Sequence, residues 1–234
     1  MIKYDLYNIN FYQKCINNYD ISKNYNTLLN NNITIYYDNF IENLNEYENC
    51  IDDINNLLKT CNKRPFVKNI SEIYNVDVNN YYINKLKNFI IPYFETNIYN
   101  CYIDIIDFKV LKYLKGNHNN ISVFNWHIDN HPDLILNIII YLNEVNENGG
   151  QFQYLVNENN NECIKYNYSS PPGNKSMNNL LSKNIYKINN IFGNKGKIFY
   201  FNNNIVHRAC NIVNIERNSI IFQIAPCINK KIII

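Results

Sequence analysis

An α+β chain, with helices packed on the outside of a jelly-roll barrel, is the fold class this sequence predicts, and three observations predict it. Residues 1 to about 100 are polar and aromatic, with apolar residues three and four apart in places, the period of a helix face. From Cys101 the pattern changes to short segments rich in Ile, Val, Tyr and Phe, broken by Gly, Asn or Pro, which read as strands. All six glycines fall between 116 and 196, so the tight turns belong to the second half. Strands following a helical preface give an α+β chain, and short strands of this kind close into a jelly roll.

The helical spacing covers Tyr36 to Leu58 and Tyr81 to Phe94. Asp77 or Asn79 is the expected N-cap of the second helix, and Pro92 near its end should kink or stop it. The predicted strands are Tyr102 to Leu114, Ile121 to Ile128, Leu134 to Leu142, Gln151 to Val156, Lys197 to Phe201, Ile205 to Val213 and Ser219 to Ile224. Gly149-Gly150 should end a hairpin, and Gly193 and Gly196 should bracket the turn before the His207 strand. Residues 157–190, with Pro171-Pro172-Gly173, show little periodicity and are long for a connection within a barrel, so they read as a partly ordered lid insert. The expected organisation is a helical N-terminal extension, 1–100, packed on a barrel core, 101–234.

The chain's 234 residues suffice for one domain with its own core. A formal net charge of +2 with scattered charges gives no basic stripe for nucleic acid and no cationic cluster for a membrane surface. The start, Met1-Ile2-Lys3-Tyr4-Asp5, lacks a continuous apolar run, and no later stretch approaches the roughly 20 apolar residues that span a bilayer. A soluble, cytoplasmic protein is expected. Seven cysteines without C-x-x-C spacing fit neither a disulfide scaffold nor a zinc ribbon and should be reduced, half-buried small residues. Residue usage leans on Asn, Ile, Lys and Tyr, a bias of A/T-rich codons, so runs such as Asn202-Asn203-Asn204 say little about function.

Against that bias the exceptions stand out. Only three of the 22 basic residues are arginine, and two of them, Arg208 and Arg217, flank the His207 region. His127-Ile128-Asp129 lies on a predicted strand, where residues i and i+2 share a face about 6.5 Å apart, so both can reach one metal at about 2.1 Å. His207, in the β-like Ile205-Val206-His207, is the best third ligand, because His118 and His131 sit in turn-like surroundings. Two imidazoles and one carboxylate are the ligands of mononuclear non-haem Fe(II) oxygenases, which keep positions open for a cosubstrate and O₂. Zinc accepts the same ligands.

Arg217 and Ser219, two apart on the following strand, share a face and could together hold the distal carboxylate of 2-oxoglutarate. The plain alternative for Arg217 is an ion pair with Glu216 or another surface acid, worth about 0 to 1 kcal/mol. Further candidates for contact with the cosubstrate are Asn125, on the His127 face, Tyr113, on the strand before the motif, and Tyr141, in phase with Asn137 and Asn143. Trp126 and Arg208 should point to the opposite face.

Asn125-Trp126-His127-Ile128-Asp129-Asn130-His131-Pro132, Ile138-Ile139-Ile140-Tyr141-Leu142-Asn143, Gly149-Gly150-Gln151-Phe152, Gly196-Lys197-Ile198-Phe199-Tyr200-Phe201, His207-Arg208-Ala209 and Arg217 follow one another in that order. Together they resemble the phytanoyl-CoA dioxygenase-like and prolyl-4-hydroxylase-like branches of the Fe(II)/2-oxoglutarate oxygenases, over about residues 100 to 226. The Arg217/Ser219 pair is also similar to the isopenicillin-N-synthase-like branch, whereas prolyl hydroxylases usually have Lys at the arginine position. The nucleic-acid demethylase branch has a second arginine six residues after the first; here that residue is Gln223, which speaks against DNA or RNA repair.

The resemblance implies a double-stranded β-helix, the cupin-like jelly roll, with Fe(II) held by His127, Asp129 and His207. It implies oxidative decarboxylation of 2-oxoglutarate to succinate and CO₂, with hydroxylation of a small metabolite or a protein side chain as the default outcome. Halogenating relatives carry Gly or Ala at the Asp129 position, so the carboxylate favours hydroxylation. Two rival classes use the same residues: a non-catalytic cupin-like binding module, and a zinc-dependent hydrolase, which gives Arg217 no role.

Overall fold

The computed structural model describes residues 11, 14–15, 35–36, 41, 43–116, 124–166, 174–183, 185–213 and 215–229. Helix α1, Leu44–Thr60, starts where Asn43 accepts the Glu46 N–H at 3.3 Å, and it carries Glu46 in its first turn and Lys59 in its last. Both charges complement the helix dipole. It buries Tyr47, Cys50, Ile51, Ile54 and Leu58, one face at helical spacing. Helix α2, Tyr81–Tyr93, is capped by Asn80, whose side chain accepts the Tyr82 N–H at 3.0 Å, rather than by Asp77 or Asn79. Asp77 instead accepts the Asn79 N–H in the preceding turn. Pro92 lacks the N–H of a regular turn, and the helix passes through it into a π-helical turn, Phe94–Tyr99, that ends at the left-handed Asn100.

Strands β1 (Ile35–Tyr36), β2 (Lys63–Val67), β3 (Ser71–Tyr74), β4 (Ile103–Tyr113), β5 (Leu136–Tyr141), β8 (Ile198–Asn202) and β10 (Arg217–Pro226) form one antiparallel sheet in the order β1-β8-β5-β10-β4-β3-β2. A second, antiparallel sheet has the order β7-β6-β9, from Tyr186–Ile191, Phe152–Asn157 and His207–Ala209. Helix α3, Asn174–Ser182, lies between β6 and β7 in sequence. Among the described residues no ladder joins the two sheets, so the expected barrel is observed as two separate sheets with helices, an α+β arrangement, and not as a closed cylinder. No helix among the described residues is long and apolar enough to cross a membrane.

Alternation along the strands sorts the core into layers. Leu136, Ile138 and Ile140 of β5, with Ile220, Phe222 and Ile224 of β10, pack with Ile51, Ile54, Leu86, Ile90 and Phe94 of the helical layer. The intervening Tyr141, Phe199 and Phe201 pack with Phe152, Tyr154 and Val156 of the small sheet. The opposite face of the small sheet, Leu155 and Val206, is covered by Met177 and Leu181 of α3 together with Trp126 and Ile128. Each fully buried side chain of this kind contributes about 1.5–3 kcal/mol.

Five elements depart from the sequence expectations. Ile35–Tyr36 pairs with β8 instead of opening the first helix, which begins at Leu44. Lys63–Val67 and Ser71–Tyr74 are strands within the segment expected to be helical. Of the predicted strand Ile121 to Ile128, residues 121–123 lie outside the described residues, 124–126 are irregular, and pairing is confined to a single bridge at His127. Tyr186–Ile191, at the end of the expected lid insert, is a strand of the small sheet. All seven cysteines are free.

The Asn202-Asn203-Asn204 run is buried and binds the loop that follows Asp129. Asn202 Nδ2 donates to the Asp133 carbonyl at 3.2 Å and Asn203 Nδ2 to the Ile135 carbonyl at 3.0 Å. Asn204 Nδ2 reaches both the His131 carbonyl, at 2.7 Å, and Asp133 Oδ1, at 2.8 Å, while the Asp129 N–H donates to the Asn203 carbonyl at 2.9 Å. Removing the buried Asn204 amide breaks two of these hydrogen bonds at once and leaves a void in the clamp. Asn204→Ala should therefore lower unfolding free energy in urea by about 1–3 kcal/mol, whereas the exposed Asn160→Ala should stay within about 0.5 kcal/mol of the parent. Equal effects of the two substitutions would show that the run is not a structural clamp.

Candidate metal centre

His127 and His207 face each other across a reciprocal backbone bridge. The His127 N–H donates to the His207 carbonyl and the His207 N–H to the His127 carbonyl, each at 3.0 Å. Directly opposed residues of an antiparallel pair send their side chains to the same face, and the two imidazole centroids are 4.4 Å apart. Asp129, two residues after His127, returns to that face. Its Oδ1 lies 3.6 Å from His127 Nε2 and its Oδ2 3.7 Å from His207 Nε2. Trp126, Ile128 and Val206, the neighbours in sequence, go to the other side of the small sheet.

Both imidazoles are held by the same device. His127 Nδ1 lies 2.7 Å from the Asn125 carbonyl and His207 Nδ1 lies 2.9 Å from the Ile205 carbonyl. A carbonyl only accepts, so each Nδ1 carries a proton and each Nε2 faces the other two groups. Burial pushes the His207 ring down to about 4 against the pull of Asp129, so it is neutral at physiological pH. Burial works the same way on His127, but its hydrogen bond to Asp129, the carboxylate charge and the Asn125 carbonyl outweigh it and hold the ring above the ordinary histidine value. Burial opposes ionisation of Asp129, yet the two imidazoles hold its carboxyl down at about 2.

One carboxylate and two imidazoles, with all ligand atoms within 4.8 Å of one another, make a donor set for a divalent cation. Atoms each about 2.1 Å from one ion lie at most about 4.2 Å apart, a limit that the two Nε2–carboxylate separations already meet.

The three groups line a cavity of about 750 Å³ to which both sheets contribute. Arg217 and Ser219 line it too, from β10, the central strand between β4 and β5. Arg217 is buried with its guanidinium 4.2 Å from the Tyr113 ring centroid, and it donates through Nη1 to the Gly150 carbonyl. Its Nε and the Ser219 hydroxyl are buried without a hydrogen-bond partner. A guanidinium buried without a carboxylate is costly, and it marks a place built for an anion. Glu216 is not that partner, since it pairs with Lys112 at 2.7 Å.

Of the sequence-predicted site residues, the structure brings His127, Asp129, His207, Arg217, Ser219 and Tyr113 together around this cavity. The Asn125 side chain is exposed and outside the lining, and it is the backbone carbonyl of Asn125 that reaches the site, through His127. Tyr141 is also outside the lining: its hydroxyl donates to the Ile191 carbonyl and accepts the Phe152 N–H, both at 3.1 Å, and so ties β5 to the small sheet. Arg208 turns away as expected, stacking 4.3 Å from the Trp126 ring centroid and bonding Gln153. No described residue of 157–190 lines the cavity.

Three contributors escaped the sequence reading. Phe152 stacks on the His207 ring at 5.1 Å, Asn137 bonds Asp129, and Gly150 supplies the carbonyl to Arg217. Gly150 has φ +77, and an added Cβ would meet Ile212 Cγ1 at 2.4 Å. Its place within Gly149-Gly150 was a visible signal of a special backbone, although not of the arginine it serves.

No protein-family model and no curated protein matches the chain by sequence. Solved structures do match by shape. HygX from Streptomyces hygroscopicus with nickel and 2-oxoglutarate bound aligns with a TM-score of 0.60 at 12% identity, covering 86% of this chain and 85% of HygX. The complex of HygX with nickel, 2-oxoglutarate and hygromycin B aligns with a TM-score of 0.58 at 11% identity, covering 86% of each chain. The non-haem α-ketoglutarate-dependent epimerase SnoN from nogalamycin biosynthesis aligns with a TM-score of 0.51 at 10% identity, covering 92% of this chain and 82% of SnoN. HygX holds nickel and 2-oxoglutarate and SnoN is α-ketoglutarate-dependent, and what this chain shares with them is the fold.

Proposed function

We propose that the chain is an Fe(II)- and 2-oxoglutarate-dependent oxygenase that hydroxylates a small organic molecule. The observation that carries this reading is the pairing, in one cavity, of a His/Asp/His donor set with a buried guanidinium Nε and serine hydroxyl that lack partners. A zinc hydrolase or an inert binding module would use the first and leave the second unexplained. In this reading His127, Asp129 and His207 are the metal ligands, and Arg217 and Ser219 bind the distal carboxylate of the cosubstrate. Tyr113, stacked on the guanidinium, keeps it flat against the wall and dry.

Bound Fe(II) and 2-oxoglutarate supply the oxidising chemistry, in which O₂ is consumed, the cosubstrate becomes succinate and CO₂, and the substrate gains a hydroxyl. The protein's part is positional. The carbonyls of Asn125 and Ile205, each on an Nδ1, fix the two rings with their Nε2 atoms toward the Asp129 carboxylate. Arg217 lines the cavity anchored through Nη1 on the Gly150 carbonyl, which leaves its Nε without a partner in the protein. Apolar walls from Phe152, Phe201, Ile139 and Ile221 limit water around the reacting groups.

The two sheets are read as the halves of a double-stranded β-helix, with residues 101–234 as the oxygenase core and 1–100 as a helical extension. The bridge at His127 adds a fourth, minimal strand to the small sheet. A cavity of about 750 Å³ suits a small-molecule substrate, since such sites span about 300–1,000 Å³. Gln223 lines this cavity at the position where the nucleic-acid demethylase branch carries arginine, which supports a substrate other than DNA or RNA. The carboxylate at position 129 favours hydroxylation over halogenation.

Anaerobic addition of Fe(II) and 2-oxoglutarate should give the weak visible charge-transfer band of a chelated keto acid, and His207→Ala should abolish it. Metal binding without any band in the parent protein would favour the hydrolase or binding-module reading. Arg217→Lys keeps the charge but loses the fork, so it should give the same band only at 2-oxoglutarate concentrations about 10-fold higher or more, read by titration. An unchanged midpoint would remove Arg217 from the cosubstrate site.

A further inference from the structure

Asp129 needs an external hold. It lies beyond the His127 bridge in a segment without regular secondary structure, and its backbone is fixed by one hydrogen bond, to the Asn203 carbonyl. Within its own segment the carboxylate meets only His127, with Oδ1 3.6 Å from Nε2. Asn137, by contrast, is buried in the middle of the large sheet, on β5, opposite Gln223 of β10 on one side and Phe201 of β8 on the other. Its side chain lines the same cavity, and its Nδ2 donates to Asp129 Oδ2 at 2.8 Å. The Asp129 carboxylate can only accept, so the amide has one possible orientation, Nδ2 toward Asp129 and Oδ1 away from it. Asn137 Oδ1 is buried and has no partner.

We propose that Asn137 is a positioning residue for the candidate metal centre: anchored in the rigid sheet, it sets the rotation of the Asp129 carboxylate that the loop itself leaves open. The inference rests on the reading of His127, Asp129 and His207 as a ligand set. It also assigns Asn137 to one side of the chemistry. Its Oδ1 accepts only and offers nothing to 2-oxoglutarate, which at neutral pH has only acceptors, and its Nδ2 is engaged on the Asp129 carboxylate. Asn137 acts on the metal, and Arg217 acts on the cosubstrate.

Calorimetric titration of the metal-free protein with Mn(II), and then of the Mn(II)-saturated protein with 2-oxoglutarate, separates the two. Asn137→Ala and Asn137→Leu, each checked for the parental circular dichroism spectrum, should bind Mn(II) about 10–100-fold more weakly, with 2-oxoglutarate affinity at saturating Mn(II) unchanged. Arg217→Lys should show the reverse split. Parental Mn(II) affinity in a folded Asn137 variant, or a loss that falls on 2-oxoglutarate instead, overturns the proposal while leaving the ligand set intact. If the parent protein itself binds no Mn(II), or His207→Ala binds it equally well, the ligand-set reading fails and this inference falls with it.

Discussion

The site depends on one antiparallel bridge, the reciprocal pair of backbone hydrogen bonds between His127 and His207. A bridge of this kind opposes two residues that are far apart in sequence and sends both side chains to one face. From there the two-residue strand period carries Asp129 to the same side and dispatches Trp126, Ile128 and Val206 to the outer layer. A shift of one residue in this register would bury the imidazoles among Leu155 and Met177 and turn the apolar neighbours into the cavity. The local hydrogen bonds that orient the rings, from each Nδ1 to the carbonyl two residues earlier, make sense only once the register is set.

A bridge of two hydrogen bonds is a slender hold, and the surrounding layers reinforce it. The Asn202-Asn203-Asn204 run ties the loop after Asp129 to the end of β8, and Asn137 reaches Asp129 from the opposite sheet. The Tyr141 hydroxyl links β5 to the small sheet through Phe152 and Ile191, and Phe152 in turn stacks on His207. Helices α1 and α2 pack on the other face of the large sheet, so that Arg217 and Ser219 project from a strand paired on both sides and backed by helices. These are the conditions under which unpartnered polar groups can be held inside a protein.

What could be read beforehand was whatever follows a strict period. His127/Asp129 and Arg217/Ser219 obey the two-residue rule, and both long helices declared themselves by apolar spacing. The strands that escaped notice are edge or near-edge elements: β2 carries Lys63, Arg64 and Pro65 and is largely exposed, and β7 alternates Ile with Lys and Asn. The burial of β2 and β7 is too slight to leave a hydrophobic signature. The asparagine run was discounted for the opposite reason, because in a chain this rich in Asn a buried amide looks like compositional noise. Phase points to Asn125 and Tyr141, and phase alone says which face a residue takes, not whether its carbonyl or hydroxyl is already engaged.

The most direct test is a crystal structure of the protein grown anaerobically with Mn(II), an inert stand-in for Fe(II), and 2-oxoglutarate. The account requires one ion bound by His127 Nε2, His207 Nε2 and an Asp129 oxygen, with the distal carboxylate of 2-oxoglutarate on Arg217 Nε and Ser219 Oγ. An ion bound by those three residues with no cosubstrate in the cavity, or with Arg217 still unpaired beside it, would contradict the oxygenase reading.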